Sequence, residues 1–204
     1  GRRALMGAMA AISAPALAQG SYPTRPIRLV VPFAPGGQTD LLARLLAPLL
    51  STELGQPVVV ENRAGGSTMI GAEVVARSAK DGHTVFFGGP SAFVIAPQVY
   101  SRMSYRPEEL QPVSLICTFP FIFSVRSNFP GTDIAAVVAH ARAQPEGITY
   151  ASVGRGSSTH ISGEILAQAL GIRMIDVIYR GIAPAQTDLV SGKIDASMDS
   201  FSQA

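Results

Sequence analysis

One stretch constrains what this chain can fold into more than any other. Over residues 27–54 an apolar run (IRLVVPF) passes through a glycine turn (APGGQTD) straight into a leucine-rich segment (LLARLLAPLLSTEL). A continuous β-branched run without alternation fits a strand of a parallel sheet covered on both faces. Leu41, Leu42, Leu45, Leu46, Leu49 and Leu50 then recur at helical spacing, which predicts an amphipathic helix capped by Asp40 or Thr39 and ended by Gly55 and Pro57. A strand that ends in glycines and opens into a helix aims unpaired backbone N–H groups, and the positive end of the helix dipole, at one small volume. Such a volume suits an anion. The arrangement recurs where ITYASV leads through GRGSSTH into ISGEILAQAL.

The rest of the chain keeps this strand-then-helix rhythm. Strands are predicted at residues 27–33, 58–61 and 84–88, a helix at 68–78 after the turn NRAGGS, and a short helical stretch at 93–99 after Gly89, Pro90 and Ser91. Residues 100–112 turn polar and proline-containing, which suits a surface connection. The apolar run at 115–125, broken by Pro120, is predicted as a strand that leaves a first lobe near Ile116 and enters a second near Phe121. Helices at 132–144, 158–170 and 184–191 then alternate with strands at 148–152, 176–179 and 195–199. Units of this length imply an α/β fold with right-handed crossovers and open, mostly parallel sheets. Ligands of such sheets sit at the carboxyl ends of strands, where all of these glycine turns fall.

Composition narrows the partners. Hydrophobic residues make up 47% of the 204, ample for a packed core. The formal charge of +2 is accounted for by Arg2 and Arg3, so the remainder is neutral and nucleic acid is not an expected partner. Those arginines open GRRALMGAMAAISAPALAQG, whose basic start, alanine-rich apolar stretch and Ala16-Leu17-Ala18 ending read as an export signal over residues 1–18, cut before Gln19. The arginine pair also permits the twin-arginine route. No other segment holds ~18 uninterrupted apolar residues, so a soluble, exported protein is expected. Cys117 is alone, lies in SLICTFPFIF, and reads as a buried, inert thiol.

Four motifs in order carry a family resemblance: YPTRPIRLVVPFAPGGQTD, VVVENRAGGSTMIGAEVVARSAKDGHTV, ITYASVGRGSSTHISGEILAQALGI and VIYRGIAPAQTDLVSGKIDASMDS. From about Tyr22 to the last residue the chain resembles the solute-binding proteins of tripartite tricarboxylate transporters, the Bug family. The resemblance implies a two-lobed fold of the type II periplasmic-binding-protein kind, with a signal over 1–18, a first lobe over 19–117 and a second over 118–204. It implies that the chain stops short of the family's usual length, the strand returning to the first lobe and the rest of that lobe lying beyond Ala204. By the same resemblance the protein is a monomer in the periplasm of a Gram-negative bacterium and uses no cofactor. It would close on a small carboxylate, whether a di- or tricarboxylate, an acidic amino acid or an aromatic acid, and deliver it to the membrane permease subunits of the transporter.

The candidate ligand contacts follow the strand ends. On the first lobe they are Phe33, Gly36 and Gly37, where a Cβ would block close approach of the backbone, with Asp40 read as a helix cap in preference to a ligand contact. The resemblance adds Asn62, Ala64, Gly65, Gly66 and Ser67, with Gly89 and Ser91 completing that side. On the second lobe Gly154, Gly156, Ser157 and Ser158 supply N–H and hydroxyl donors, so that PGGQTD would be one jaw of a clamp and GRGSSTH the other. His160 stands at the ligand, behind it or on the surface. Tyr179 and Arg180 belong to the next strand-end turn; Arg180 would meet a second carboxylate or lie on the surface, and Asp199 could accept from an amine.

Enzymatic readings compete. Ser157 or Ser158 with His160 contains a nucleophile and a base, and an exported α/β hydrolase or a carboxylate sensor without a transport partner is the alternative. Against hydrolysis, no acid is visible to orient the base, and GRGSS is not the G-x-S-x-G elbow. His160 and Glu164 at i, i+4 make only two ligands of a metal site. Neither a phosphate-loop motif nor a complete G-x-G-x-x-G is present.

Overall fold

A computed structural model of the chain describes residues 22–200. The expected export signal and the last four residues lie outside that range. Two sheets organise what is described. The first has the order β2-β1-β3, with β1 Ile27–Val31 parallel to both β2 Val58–Asn62 and β3 Thr84–Phe86. The second has the order β4-β7-β5-β6: β5 Ile148–Ser152 runs parallel to β6 Met174–Ile178 and β7 Ala196–Ser200, while β4 Phe121–Val125 is antiparallel to β7. The mostly parallel, two-lobed α/β architecture is therefore as expected. β1 is central in its sheet and buried on both faces, which is why its sequence does not alternate.

Helix α1 Gln38–Leu54 departs from its leucine pattern. Its buried positions are Asp40, Ala43 and Ala47; the two alanines pack with Ile27, Leu29, Val31 and Val58, whereas Leu41, Leu45 and Leu49 are 50%, 68% and 63% exposed. The rotation is set by polar anchors on the small-residue face. Asp40 is tied to the turn before the helix and to the end of β2, and Ser51, eleven residues on, accepts from the N–H of Val58. Positions 40, 43, 47 and 51 share one face of a helix of 3.6 residues per turn, so holding Asp40 and Ser51 inward turns the leucines outward. The helix begins at Gln38 with Gly37 as its N-cap residue, two residues before Thr39 and three before Asp40, the expected caps.

The other face of the first sheet carries α2 Met69–Ala76, the short α3 Ala96–Val99 preceded by a π turn at Ser91–Ile95, and a core of Ala72, Ala76, Ala92, Tyr105 and Leu110. Residues 100–112 are thus more than a surface connection: Tyr105 and Leu110 are buried, and the Tyr105 hydroxyl donates to the carbonyl of Ala92. Burying side chains of this size contributes about 1.5–3 kcal/mol each, which explains how a segment with little regular structure is held. Residues 111–120, by contrast, are exposed throughout and form no strand; the expected crossing strand starts only at Phe121, and Cys117 is exposed.

In the second lobe α4 Ile134–Ala143 is capped by Asp133, whose carboxylate accepts from the N–H of Ala136, and buries Val137 and Ala141 beside Ile148 and Phe129. Helix α5 Ser158–Leu170 lays Thr159, Gly163 and Ala167 on the sheet. Tyr150 fits beneath it because position 163 has no side chain; a Cβ there would stand 2.2 Å from the Tyr150 ring. Helix α6 Ile182–Val190 packs Ala185 and Leu189 on Ala151 and Ile194. The ends of the strands opposite the glycine turns are pinned separately: Asp195 accepts from Thr149 N, Thr149 Oγ1 and Arg126 Nε at 2.9–3.0 Å.

Candidate functional site

Parallel pairing puts the carboxyl ends of β1, β2 and β3 along one rim, and those of β5, β6 and β7 along another. In the first rim the turn after β1 is fastened by charge. Asp40, 1% exposed, accepts from Gly36 N at 2.9 Å, Arg44 Nε at 3.0 Å and Asn62 Nδ2 at 2.8 Å. Burial alone would raise its pKa, but the hydrogen bonds from Arg44, Gly36 and Asn62 together hold the carboxyl below its ordinary value. Asn62 also donates to Phe33 O and accepts from Arg44 Nη2. The side chains of Asp40 and Asn62 are therefore committed to positioning the turn. Phe33 contributes its carbonyl to that network and packs its ring against the first core.

The turn after β2 is strained. Ala64 and Gly65 lead into a 3₁₀ turn at Gly66–Thr68 in which two consecutive non-glycine residues, Ser67 and Thr68, have φ of 53° and 77°. Conformations of this kind cost roughly 1–3 kcal/mol each and cluster at functional sites. Both residues are buried, and the Thr68 hydroxyl has no hydrogen-bond partner among the described residues. Ser67 Oγ lies 3.1 Å from Tyr100 Oη. The turn after β3 carries Gly89, exposed with open space around its Cα, and Ser91, buried.

On the second rim the turn after β5 is held by neutral groups. Gly154 N donates to Ser152 Oγ, Val153 N to Thr159 Oγ1, and His160 N to Ser157 Oγ, which caps α5. Gly154 and Gly156 have φ of 114° and 73°, and each also abuts the opposite rim. A Cβ on Gly154 would stand 2.6 Å from Ser67 Oγ, and one on Gly156 3.1–3.2 Å from Tyr100 and Val99. Tyr100 Oη donates to Arg155 O, Ser158 N donates to Ser91 Oγ at 3.0 Å, and the Ser91 and Ser158 hydroxyls are 3.0 Å apart.

The pairing of the jaws differs from expectation. PGGQTD does not face GRGSSTH; Ala34 N donates to Arg180 O, a Cβ on Gly181 would stand 3.1 Å from Ala34, and Gly36 approaches Ala183. The turn after β1 thus meets the turn after β6, and GRGSSTH meets the strained turn and the Ser91 turn. Two surface concavities flank β4, one beside Arg126 and Gln186 and one beside Gly131 and Thr132, and neither includes any of the strand-end turns described above.

Other candidates fall elsewhere. Tyr179 Oη donates to Asp188 Oδ2 at 2.9 Å, and its pKa is pushed up to about 12 by burial and then by that carboxylate, so its hydroxyl serves α6. Asp199, 5% exposed, accepts from Gln186 Nε2. Arg180 is exposed, and its guanidinium forms no ion pair among the described residues. Sequence reasoning passed over Tyr100, Thr68 and Arg155. Arg155 lies inside a turn already singled out, whereas nothing local marks Tyr100: its role arises from contact with residues 67 and 155.

Chemically the rims offer hydrogen-bond donors, and among the described residues no serine hydroxyl is bonded to the His160 imidazole. Ser157 is fully buried and shares its hydroxyl with Thr159 and His160 N; Ser158 meets Ser91; the His160 imidazole accepts weakly from Gly156 N at 3.5 Å. His160 and Glu164 stand 4.0 Å apart, and no group of three metal-ligating side chains gathers among the described residues. No described helix is long and apolar enough to cross a membrane.

Comparison with known proteins converges. Residues 42–204 match the model of the tripartite tricarboxylate transporter family receptor. Protein BugT of Bordetella pertussis is 36% identical over 95% of this chain and 60% of its own length. The structure of the periplasmic binding protein BugD superposes with a TM-score of 0.80 at 35% identity, over 88% of this chain and 60% of that one. An R. palustris protein solved with adipate gives 0.83 at 37% identity over 89% and 61%, and MatC from Rhodopseudomonas palustris with bound malate 0.84 at 32% over 89% and 62%. The chain spans about 60% of the length of the curated relatives it matches.

Proposed function

Because this chain belongs to the tripartite tricarboxylate transporter receptor family, we propose that it is the ligand-gripping part of a periplasmic solute-binding protein that captures a small carboxylate between its two rims. The observation that carries this reading is the meeting of the α5 N-terminal turn with two buried hydroxyls from the other rim, those of Ser67 and Ser91, where no described serine hydroxyl is bonded to the His160 imidazole. A helix N-terminus favours an anion, and charge-assisted bonds to N–H and hydroxyl donors add to that preference. The carboxylate lies against Gly154, Gly156, Ser157 and Ser158 on one side, and against Gly65, Gly66, Ser67 and Thr68 on the other. Arg180 and Arg155, exposed and without an ion pair among the described residues, take the second carboxylate of a dicarboxylate. The first lobe runs to residue 117 and the second from 118, and the ligand passes from this protein to membrane permease subunits of a tripartite transporter. Relatives solved with adipate and malate support dicarboxylates as the first ligands to try.

The test is thermal unfolding of the protein across a panel including malate, adipate, an acidic amino acid and an aromatic acid. A ligand of the folded state at 100 times its Kd stabilises by about 2.7 kcal/mol. A raised Tm with at least one acid is expected; an unmoved Tm across the panel overturns the reading.

A further inference from the structure

We propose that Ser91 is a latch across the cleft, holding the first amide of α5 until a carboxylate takes its place. The exchange step rests on the carboxylate reading above; the latch itself does not. The N–H of Ser158 is among the four at the start of α5 that the helix cannot satisfy from within. It is satisfied from the other lobe: Ser158 N donates to Ser91 Oγ at 3.0 Å, and Ser91 is 4% exposed, so this hydroxyl has left water to make the contact. The Ser91 and Ser158 hydroxyls, 3.0 Å apart, add a second bond between the same residues. Its neighbours are arranged for the same approach. Tyr100 Oη donates to Arg155 O one turn away, and Gly154 and Gly156 bring bare backbone to where a side chain would meet Ser67, Val99 and Tyr100.

The contact has the geometry of an N-terminal helix cap, but the capping hydroxyl comes from sixty-seven residues earlier in the chain and from the opposite rim. A neutral hydroxyl is a weaker acceptor at that place than an ionised carboxylate, which gains from the helix dipole and from charge-assisted bonding. A ligand carboxylate therefore displaces Ser91 Oγ from Ser158 N. Ser91 Oγ and a ligand carboxylate are alternatives for one donor, so the latch competes with the ligand and lowers its affinity.

The test compares wild type with Ser91→Ala, a change that removes one oxygen. Amide hydrogen exchange read by NMR without added acid comes first: exchange at Ser158 accelerates on the order of tenfold in the variant, while that of Tyr150 in β5 is unchanged, reporting an intact sheet. Unchanged exchange at Ser158 overturns the latch whatever the protein binds. Titration calorimetry with malate and adipate follows, and the variant binds roughly 3–10-fold tighter, the worth of one released hydrogen bond. Weaker binding by the variant overturns the exchange and makes Ser91 a donor to the ligand. If neither protein binds any acid of the panel yet Ser158 exchange accelerates, the carboxylate reading falls and the latch stands.

Discussion

The turn after β1 and the turn after β5 look alike in sequence, each a glycine pair between a buried strand and a helix, but they are held by different physics. The first is fastened by a buried carboxylate that gathers Gly36, Arg44 and Asn62, with the guanidinium half in water. The second is fastened by hydroxyls, Ser152, Ser157 and Thr159, each taking one backbone N–H. A charge-held turn is rigid and sensitive to acid. A hydroxyl-held turn keeps its helix dipole uncompensated by any nearby acidic group of its own first turn, and so remains attractive to an anion. Asp40, sitting in the first turn of α1, spends that attraction internally. The difference suits the first turn to anchoring and, on the function proposed above, the second to the anion.

The largest effect should come from Asp40→Ala. Gly36 N and the Asn62 amide both lose a buried acceptor, and the expected loss is about 2–4 kcal/mol in urea unfolding. The pH dependence sharpens the same point. With its folded pKa depressed, Asp40 contributes stability that is fully present above the ordinary value of 3.8 and is lost as pH falls through the folded value. Urea midpoints from about pH 5 down to about 2 should therefore converge between wild type and Asp40→Asn; a constant gap would remove the charge from the explanation. Next in size is Gly156→Ala, which combines φ of 73° with contacts of 3.1–3.2 Å across the cleft. It should cost about 1–3 kcal/mol and weaken malate or adipate binding by calorimetry. Ser157→Ala removes a cap from α5 and should cost about 1 kcal/mol in the same urea assay. A loss equal to that of Asp40→Ala would erase the distinction between the turns. Gly89→Ala, with nothing within 4 Å of the new Cβ, should stay within about 0.5 kcal/mol.

Most elements were legible in the sequence because periodicity and turn residues report on neighbours along the chain. The rotation of α1 was not, since six leucines outvoted one aspartate; the decisive partner of Asp40 is Asn62, twenty-two residues away. The run around Cys117 read as a buried strand from its apolar content alone, but a strand also needs a partner to pair with, and 111–120 finds none among the described residues. For the site, the glycine turns were visible and their pairing across the cleft was not. Which jaw meets which depends on how two sheets face each other, and Ala34 with Arg180, or Tyr100 with Arg155, leave no local mark.

Ser67 and Thr68 carry a last consequence. Two left-handed non-glycine residues in succession leave this segment few other shapes to adopt without unfolding. It is a template and not a hinge. If an acid binds as proposed, this wall sets the shape it must fit, while adjustment to the size of the ligand falls to the opposite side, whose glycines at 154 and 156 tolerate a wider range of backbone angles. Selectivity and adaptability would then be divided between the two halves of the cleft, the strained half refusing shapes and the supple half accommodating them.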